Sequence, residues 1–573
     1  MRAAGDAPPI AARAFAAVTE PPQSWRNEER PPDARSPCLA RERPMTPDQS
    51  HQVVPHRALI TLCCMTGNLM QALDSTIANV SLPYMQGTLS TSAEEITWVL
   101  TSYVIAAAIM TAPVGWMAVR FGRKNLFIGC MSGFVVASML CGAAETLPQM
   151  VAFRILQGMC GAALVPLSQA TMLDIYPFER RAQAMAIFGM GVMVGPILGP
   201  TLGGYLTEMY NWRWVFYVNL PFGVLALVGL ALFMPKAPVR PDLRFDWTGF
   251  AVLALAVGAL QLMLDRGQRL DWFTSREIVV EAVLAGLGFY LFVVHMLTAR
   301  DPFLPPALFK DRNFTCGVLM VFCVAMILLA SSALLAPYLE SLAGYPVETA
   351  GIAMAPRGLG TMLGMQLAAR LSVRFDQRAI MALGLVIMGA SLHAMSGWTP
   401  DVTERQMMLT LIVQGVSMGF VFNPMTVMAF VTLPSQYRGH ATSLQALGRN
   451  IGQAIGVSVT SFTLTRSIQT NHADIAAGIT PFARVLQGND AVAHWLDPFT
   501  RQGAALLDRM IEQQAQIIAY NNDFRMMTLV VVPPLLLLPF MRRHAPPPPI
   551  VAVPAPAAMV APPPATAPAA GAD

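Results

Sequence analysis

Charge is what this sequence has least of. Asp, Glu, Lys and Arg make up 13% of its 573 residues, about half the share of an ordinary soluble domain. A soluble fold of this length needs charge to coat its surface, so a water-soluble enzyme is excluded. Net charge is only +4 and the basic residues are scattered, which leaves no patch for nucleic acid. The eight cysteines show no CxxC spacing. That excludes a zinc site or a disulfide framework, and they read as small apolar side chains. No Walker loop, HExxH or Ser/His/Asp set occurs, so the chain reads as a non-enzyme that uses neither ATP directly nor a cofactor. What it has in excess is apolar residues, at 54%, too many for a disordered protein.

A helix needs about 20 apolar residues to cross a bilayer. Fourteen runs qualify: 58–81, 96–118, 125–144, 148–171, 183–206, 212–234, 247–264, 277–298, 314–338, 348–370, 378–398, 407–432, 440–465 and 524–541. The expected fold class is therefore an all-α integral membrane protein with fourteen transmembrane helices. Residues 1–56 and 542–573 are rich in Pro and Ala and read as disordered tails. The first has no apolar core for a secretory signal, and Met45 is a second possible start. An even number of spans places both termini on one side. On that side the short loops hold Arg120, Arg123, Lys124, Arg180, Arg181, Lys236, Arg240, Arg244, Arg300, Lys310, Arg312, Arg370, Arg374, Arg378 and Arg438. The opposite short loops hold only Arg213, Arg266, Arg269, Arg276 and Arg405. The positive-inside rule then expects cytoplasmic termini.

The chain repeats itself. Pro83-Tyr84 recurs as Pro337-Tyr338, and Gly115 to Lys124 recurs, degraded, as Ala369 to Arg378. Gln157-Gly158 recurs as Gln414-Gly415, and Gly191, Gly195, Gly199 as Gly448, Gly452, Gly456. The offsets stay between 254 and 257, in order. This predicts a six-helix bundle over 57–234, two inserted helices over 235–310, and a second six-helix bundle over 311–541. Each half holds an even number of spans, so the two share one orientation. Transporters rock two such bundles about a central site.

Asp74 lies deep in the first span, and an acid in hydrocarbon must face protein or water. Asn68, Gln71, Ser75 and Asn79 lie on one helical face with Asp74 at its edge. They read as a polar wall on a cavity beside a carboxyl that can exchange a proton. The alternative is a structural aspartate bonded to a neighbouring helix. Arg154, in the fourth span, stays charged when buried and either tunes that acid or ties helices together, with Gln157 in reach. Arg357 in the tenth span and Arg449 in the thirteenth either meet an anionic group or pair structurally. Gly191, Gly195, Gly199 and Gly203, four apart, with Gly204, Pro196 and Pro200, read as a close-packing strip. The loop with Gly115, Arg120, Gly122, Arg123 and Lys124 sets topology or latches onto a neighbouring helix end. Segment 466–523 is a long outer loop. Its positions 503–518 repeat apolar residues every three or four, so it is expected to hold one or two amphipathic helices.

These motifs resemble the major facilitator superfamily, and within it the fourteen-span drug:proton antiporters of the EmrB/QacA type, over about 57–541. Leu73 to Pro83 is similar to that family's first-helix motif, Arg154 to Gly158 to its fourth-helix motif, and Gly191 to Gly204 to its antiporter motif. Trp212 to Gly223 also fits, and Met263 to Phe273 is similar to the EmrB branch. The resemblance implies proton-driven export of small amphipathic drugs, with the proton gradient as energy source. It further implies proton coupling through Asp74 and Arg154, a bacterial inner membrane with its lipid, and a periplasmic adaptor with an outer-membrane duct of the TolC type. The outer loop 466–523 is expected to dock that adaptor. Val119 stands where the family usually has Asp, which puts its usual latch in question. A carrier for one metabolite, siderophore or lipid is the main alternative. A non-transporting scaffold or sensor has no need of a polar cavity.

Overall fold

The computed structural model describes residues 55–542, apart from 93, 178–179, 237–238, 241, 346, 400, 435–436 and 480–499. The expected tails, 1–56 and 542–573, fall almost wholly outside the described residues. So does the middle of the outer loop, with Leu496 and Phe499.

Among the described residues every regular element is helical. The first half holds α1 (Arg57–Leu89), α2 (Trp98–Thr111), α3 (Val114–Arg120), α4 (Arg123–Ala143), α5 (Leu147–Gly161), α6 (Leu164–Ile175), α7 (Arg181–Met209), α8 (Trp214–Tyr217) and α9 (Asn219–Phe233). Then come α10 (Trp247–Arg266) and α11 (Arg276–Thr298). The second half holds α12 (Arg312–Pro337), α13 (Val347–Leu371), α14 (Gln377–Met395), α15 (Glu404–Val431), α16 (Arg438–Gly478), α17 (Arg501–Val530) and α18 (Val532–Leu537). Thr146, Asp246, Asp311, Thr403 and Thr500 cap the starts of α5, α10, α12, α15 and α17 by accepting a backbone N–H. A membrane helix has no water to meet those amides, so such caps fix where each begins.

Among the described residues, nine helices are long and apolar enough to cross a membrane, or up to ten if one bent pair is counted. That pair is α2 with α3, bent by 55° at Ala112-Pro113, where the sequence predicts one straight run. The first, fifth, tenth and thirteenth expected spans coincide with the long helices α1, α7, α13 and α16. These carry the polar and glycine residues singled out above, which is why their apolarity falls short. The expected boundaries of the outer loop at 466 and 523 are corrected. The thirteenth span continues as helix to Gly478, and the last begins as helix at Arg501. Leaving the apolar layer changes the composition of a helix, not its hydrogen bonding. His472 and Asp508, 3.0 Å apart, join the two extensions.

Helix pairing recurs along the chain. In the first half α1 packs on α7, α2 on α5 and α4 on α5. In the second, α12 packs on α16, α13 on α15 and α14 on α15. Glycine sets the closest of these approaches. A side chain at Gly195 would meet the backbone of Ala72, and one at Gly452 or Gly456 the carbonyls of Phe322 or Met326. The inserted helices α10 and α11 pack on each other, and α10 also touches α2 and α16. Leu253 and Val257 there join Ala108, Ala112 and Leu447 in one apolar cluster.

Candidate functional site

The site begins with a charge pair sealed inside the first half. The Asp74 carboxylate lies 2.8 Å from an Arg154 guanidinium nitrogen, and neither side chain has any exposed surface. Gln157 donates to the other Asp74 oxygen at 2.8 Å, and Asn219 reaches the same oxygen at 3.4 Å. Arg154 also donates to Gln157 at 2.9 Å and, through Nε, to the Val99 carbonyl at 2.9 Å. Its guanidinium lies over the ring of Tyr103, 4.5 Å from the centroid, and over that of Phe216 at 5.5 Å.

Each partner is placed by local sequence. Arg154 and Gln157 are three apart on α5 and share a face. Gly158, next to them, leaves no room for a side chain against Tyr103 and Ala106. This close approach of α5 to α2 puts the Val99 carbonyl within reach of Arg154. Asn219, which opens α9, is held by Ser138 at 3.0 Å. A buried pair of this kind is weak evidence for stability, but breaking it by removing one partner strands a charge and costs about 3–5 kcal/mol. The arrangement is rigid while paired and changes sharply if either charge is lost. That is what a carboxyl coupling proton binding to helix movement requires.

The other expected cavity residues scatter. Asn68 is fully buried, Gln71 is half-buried beside the Tyr103 hydroxyl, and Ser75 and Asn79 are exposed. Gln157, in reach of Arg154 as expected, joins the Asp74 cluster because it shares the α5 face with Arg154. Arg357 donates to Ser332 and Ser331 at 2.8 Å each and to the Leu328 carbonyl at 3.2 Å. It has hydroxyl and carbonyl acceptors there and no carboxylate. In the glycine strip, Gly191 faces Met65, Gly195 faces Ala72, Gly199 faces Thr76 and Gly203 faces Ile77, all on α1. Pro196 lies in the same helix. Gly204 faces open space instead. It sits about 100° around the helix from Gly203 and so leaves the seam.

At the arginine-rich end the two halves meet. Gly115 on α3 lies against the backbone of Gly439 and His440 at the start of α16. Arg120 closes α3, and Gly122 takes φ 84° to turn into α4, a conformation glycine adopts freely. Lys124 donates to the carbonyls of Ala231 and Met234 at 2.8 and 2.7 Å, capping the end of α9. Arg123 pairs with Asp174 at the end of α6, and Asp174 also accepts from Arg438 of α16 at 2.7 Å. Nearby, Gln169 donates to Gln445 at 2.8 Å, both buried. The start of α7 packs on the end of α13 through Ala186, Met365 and Ala369. Arg123 of this loop therefore finds its acid in Asp174, on α6.

Asn219, Asp174 and Asp523 are absent from the residues singled out in the sequence. Asn219 lies inside the Trp212 to Gly223 motif, and Asp174 is a lone acid ending an apolar run. Both were visible as polar residues at span ends, but their partners are 145 and 264 residues away.

A charge pair sealed in a helical membrane bundle, together with a breakable seam between two similarly paired halves, defines a membrane transporter. A profile of the Major Facilitator Superfamily matches residues 64–457, and the chain belongs to that superfamily. It is 33% identical over 470 residues to the Multidrug export protein EmrB of Escherichia coli (strain K12), covering 82% of this chain and 92% of that one. It is equally similar, 33% over 470 residues with the same coverage, to the Fatty acid resistance protein FarB of Neisseria gonorrhoeae. The crystal structure of the human organic anion transporter MFSD10 (TETRAN) shares the fold, with a TM-score of 0.56 at 14% identity. That match covers 84% of this chain and 100% of that one.

Proposed function

We propose that the chain exports small amphipathic drugs in exchange for protons. The observation that carries this reading is the sealed Asp74–Arg154 pair, and the 33% identity to a multidrug export protein supports the substrate class. Asp74 is the proton-coupling group and Arg154 its partner. Proton arrival at Asp74 removes the anion that Arg154 faces. Arg154 keeps Val99 and Gln157 as partners, so it stays with α2 and α5 while α1 is released. Because α1 is locked to α7 by the glycine strip, the two move together. The start of α7 touches α13 in the other half, so the movement reaches the seam at Asp174 and Arg438. In this conformation that seam is closed at the arginine-rich end.

This reading takes fourteen spans in two six-helix bundles with α10 and α11 inserted, and both termini in the cytoplasm of a bacterial inner membrane. The extensions of α16 and α17 then stand on the periplasmic side, where they offer a surface to an adaptor protein and a TolC-type duct. No cofactor is needed beyond the proton gradient. A second reading, export of one class of lipid-like acid, has in its favour the identity to the Fatty acid resistance protein FarB and the buried cation Arg357. A growth assay against a drug panel in a pump-deleted host, with wild type beside Asp74→Asn, decides between them. Broad resistance lost in the variant supports the first reading, and protection against fatty acids alone supports the second.

A further inference from the structure

A second acid lies inside the helical core, in the other half of the chain. Asp523 on α17 is 2% exposed. Thr463 of α16 donates to one of its oxygens at 2.7 Å, and the other oxygen, also buried, has no hydrogen-bond partner. Tyr520, three residues earlier on α17, interacts with it, and the Tyr520 ring leads on to an aromatic group of Tyr338, Trp398 and Phe524. The Tyr520 and Tyr338 rings lie 5.5 Å apart, and those of Trp398 and Phe524 6.3 Å apart. The titratable neighbours facing the cluster are the phenols of Tyr520 and Tyr338. Charged side chains flanking these contacts in sequence include Glu340, His393, Arg466 and Arg525. All four are at exposed positions, and among the described residues no ion pair joins any of them to Asp523.

The contrast with Asp74 is chemical. Asp74 has three side-chain donors, one of them a cation. Asp523 has a single hydroxyl. A buried ionised carboxylate with one donor bears most of its desolvation cost, whereas the acid form leaves at most one weak polar group unpaired. A metal cation does not resolve this, because hard cations take six or more oxygens and only one carboxylate and one hydroxyl converge here. The ligand that fits the orphaned oxygen is a proton. We propose that Asp523 is a second proton-binding carboxyl of the carrier, held by Thr463 on α16 well away from the Asp174–Arg438 seam. Arg438 opens α16, and Thr463 lies 25 residues further on, about 38 Å along the same rod. One helix therefore joins proton occupancy beside Thr463 to the latch at its start. Only this transport consequence rests on the proton-driven reading above.

Infrared difference spectra of the purified full chain in detergent test the site directly. The wild type should show a buried carboxylic-acid C=O stretching band that Asp523→Asn removes and Asp74→Asn retains. Asp523→Glu should shift that band, which covers the case in which the Asn variant does not accumulate. A spectrum without the band, or a band unmoved by either Asp523 variant, overturns the proposal. In proteoliposomes with tetraphenylphosphonium as probe, Asp523→Asn should lower the protons moved per probe about twofold, one of the two proposed proton-binding carboxyls being lost. An unchanged ratio overturns the transport role. If wild type moves no protons with the probe, the exporter reading fails, and the infrared result still decides whether Asp523 holds a proton.

Discussion

Asp174 and Arg438 stand 2.7 Å apart on helices from opposite halves of the chain. Their side chains are 34% and 15% exposed, and water screens such a pair to about 1 kcal/mol or less. A pair of that strength holds a seam shut without making it hard to open. Asp174 also binds Arg123 within its own half, so the acid stays positioned when Arg438 withdraws. Asp174→Ala should raise maleimide labelling of Gln445→Cys, counted above the native cysteines, by up to about fivefold, since about 1 kcal/mol shifts an equilibrium by that factor. Labelling equal to that of the parent would show that the apolar contacts alone close this end.

The Asp74 cluster predicts an asymmetry between its two charges. Asp74→Asn should abolish drug-dependent proton movement in vesicles, and it costs less stability than loss of Arg154 because the amide oxygen still accepts from Arg154 and that cation keeps Val99 and Gln157. Asp74→Glu should keep part of the movement. Arg154→Met strands the carboxylate among Tyr103, Phe216 and Gln157, and should cost about 3–5 kcal/mol. Thermal unfolding in detergent reads that loss. Adding Asp74→Asn to Arg154→Met should recover most of it. If the double variant is no more stable than Arg154→Met, the pair is not a closed electrostatic unit.

Gly195→Leu and Gly199→Leu place bulk where α7 meets Ala72 and Thr76 of α1. Overpacking of this kind costs about 1–3 kcal/mol, and a displaced α1 moves Asp74 out of register with Arg154. Both variants should reach the membrane and lose efflux. Gly204→Leu, with open space around it, is the control and should transport normally. Equal loss in all three would mean the strip is not what sets the approach of α1.

On the extension of α17, Leu506 and Met510 are exposed and one turn apart. Leu506→Glu combined with Met510→Glu should abolish resistance of whole cells while drug-dependent proton movement in proteoliposomes persists, as expected if this face meets an adaptor. Loss in both assays would assign the face to the transporter itself.

Much of this was legible in the sequence because membrane helices are specified locally. Apolar runs located the helices, and the four-residue glycine spacing marked the seam that α1 fills. Asp74 and Arg154 were each visible as charges where hydrocarbon forbids them. Their pairing with Asn219 was not, since a contact between residues far apart in the chain leaves no local period. Asp523 escaped because the polar stretch before it, Asn521-Asn522-Asp523, has the composition of a loop. The helix running through it is held by α16, and sequence composition does not record that support. Asp174 was not legible as the acid joining Arg123 and Arg438, because those partners lie 51 and 264 residues away.

The 41 residues of α16 make a rod about 62 Å long at 1.5 Å per residue, roughly twice the thickness of a hydrocarbon layer of about 30 Å. Its last 13 residues, 466–478, project about 20 Å past the expected span. A rigid rotation of about 15°, as in subunit rocking, would sweep such a projecting arm through about 5 Å. The helix is therefore a lever whose tip amplifies small motions at its base. Anything resting on that tip would feel the carrier change state without touching its substrate, its protons or its latch.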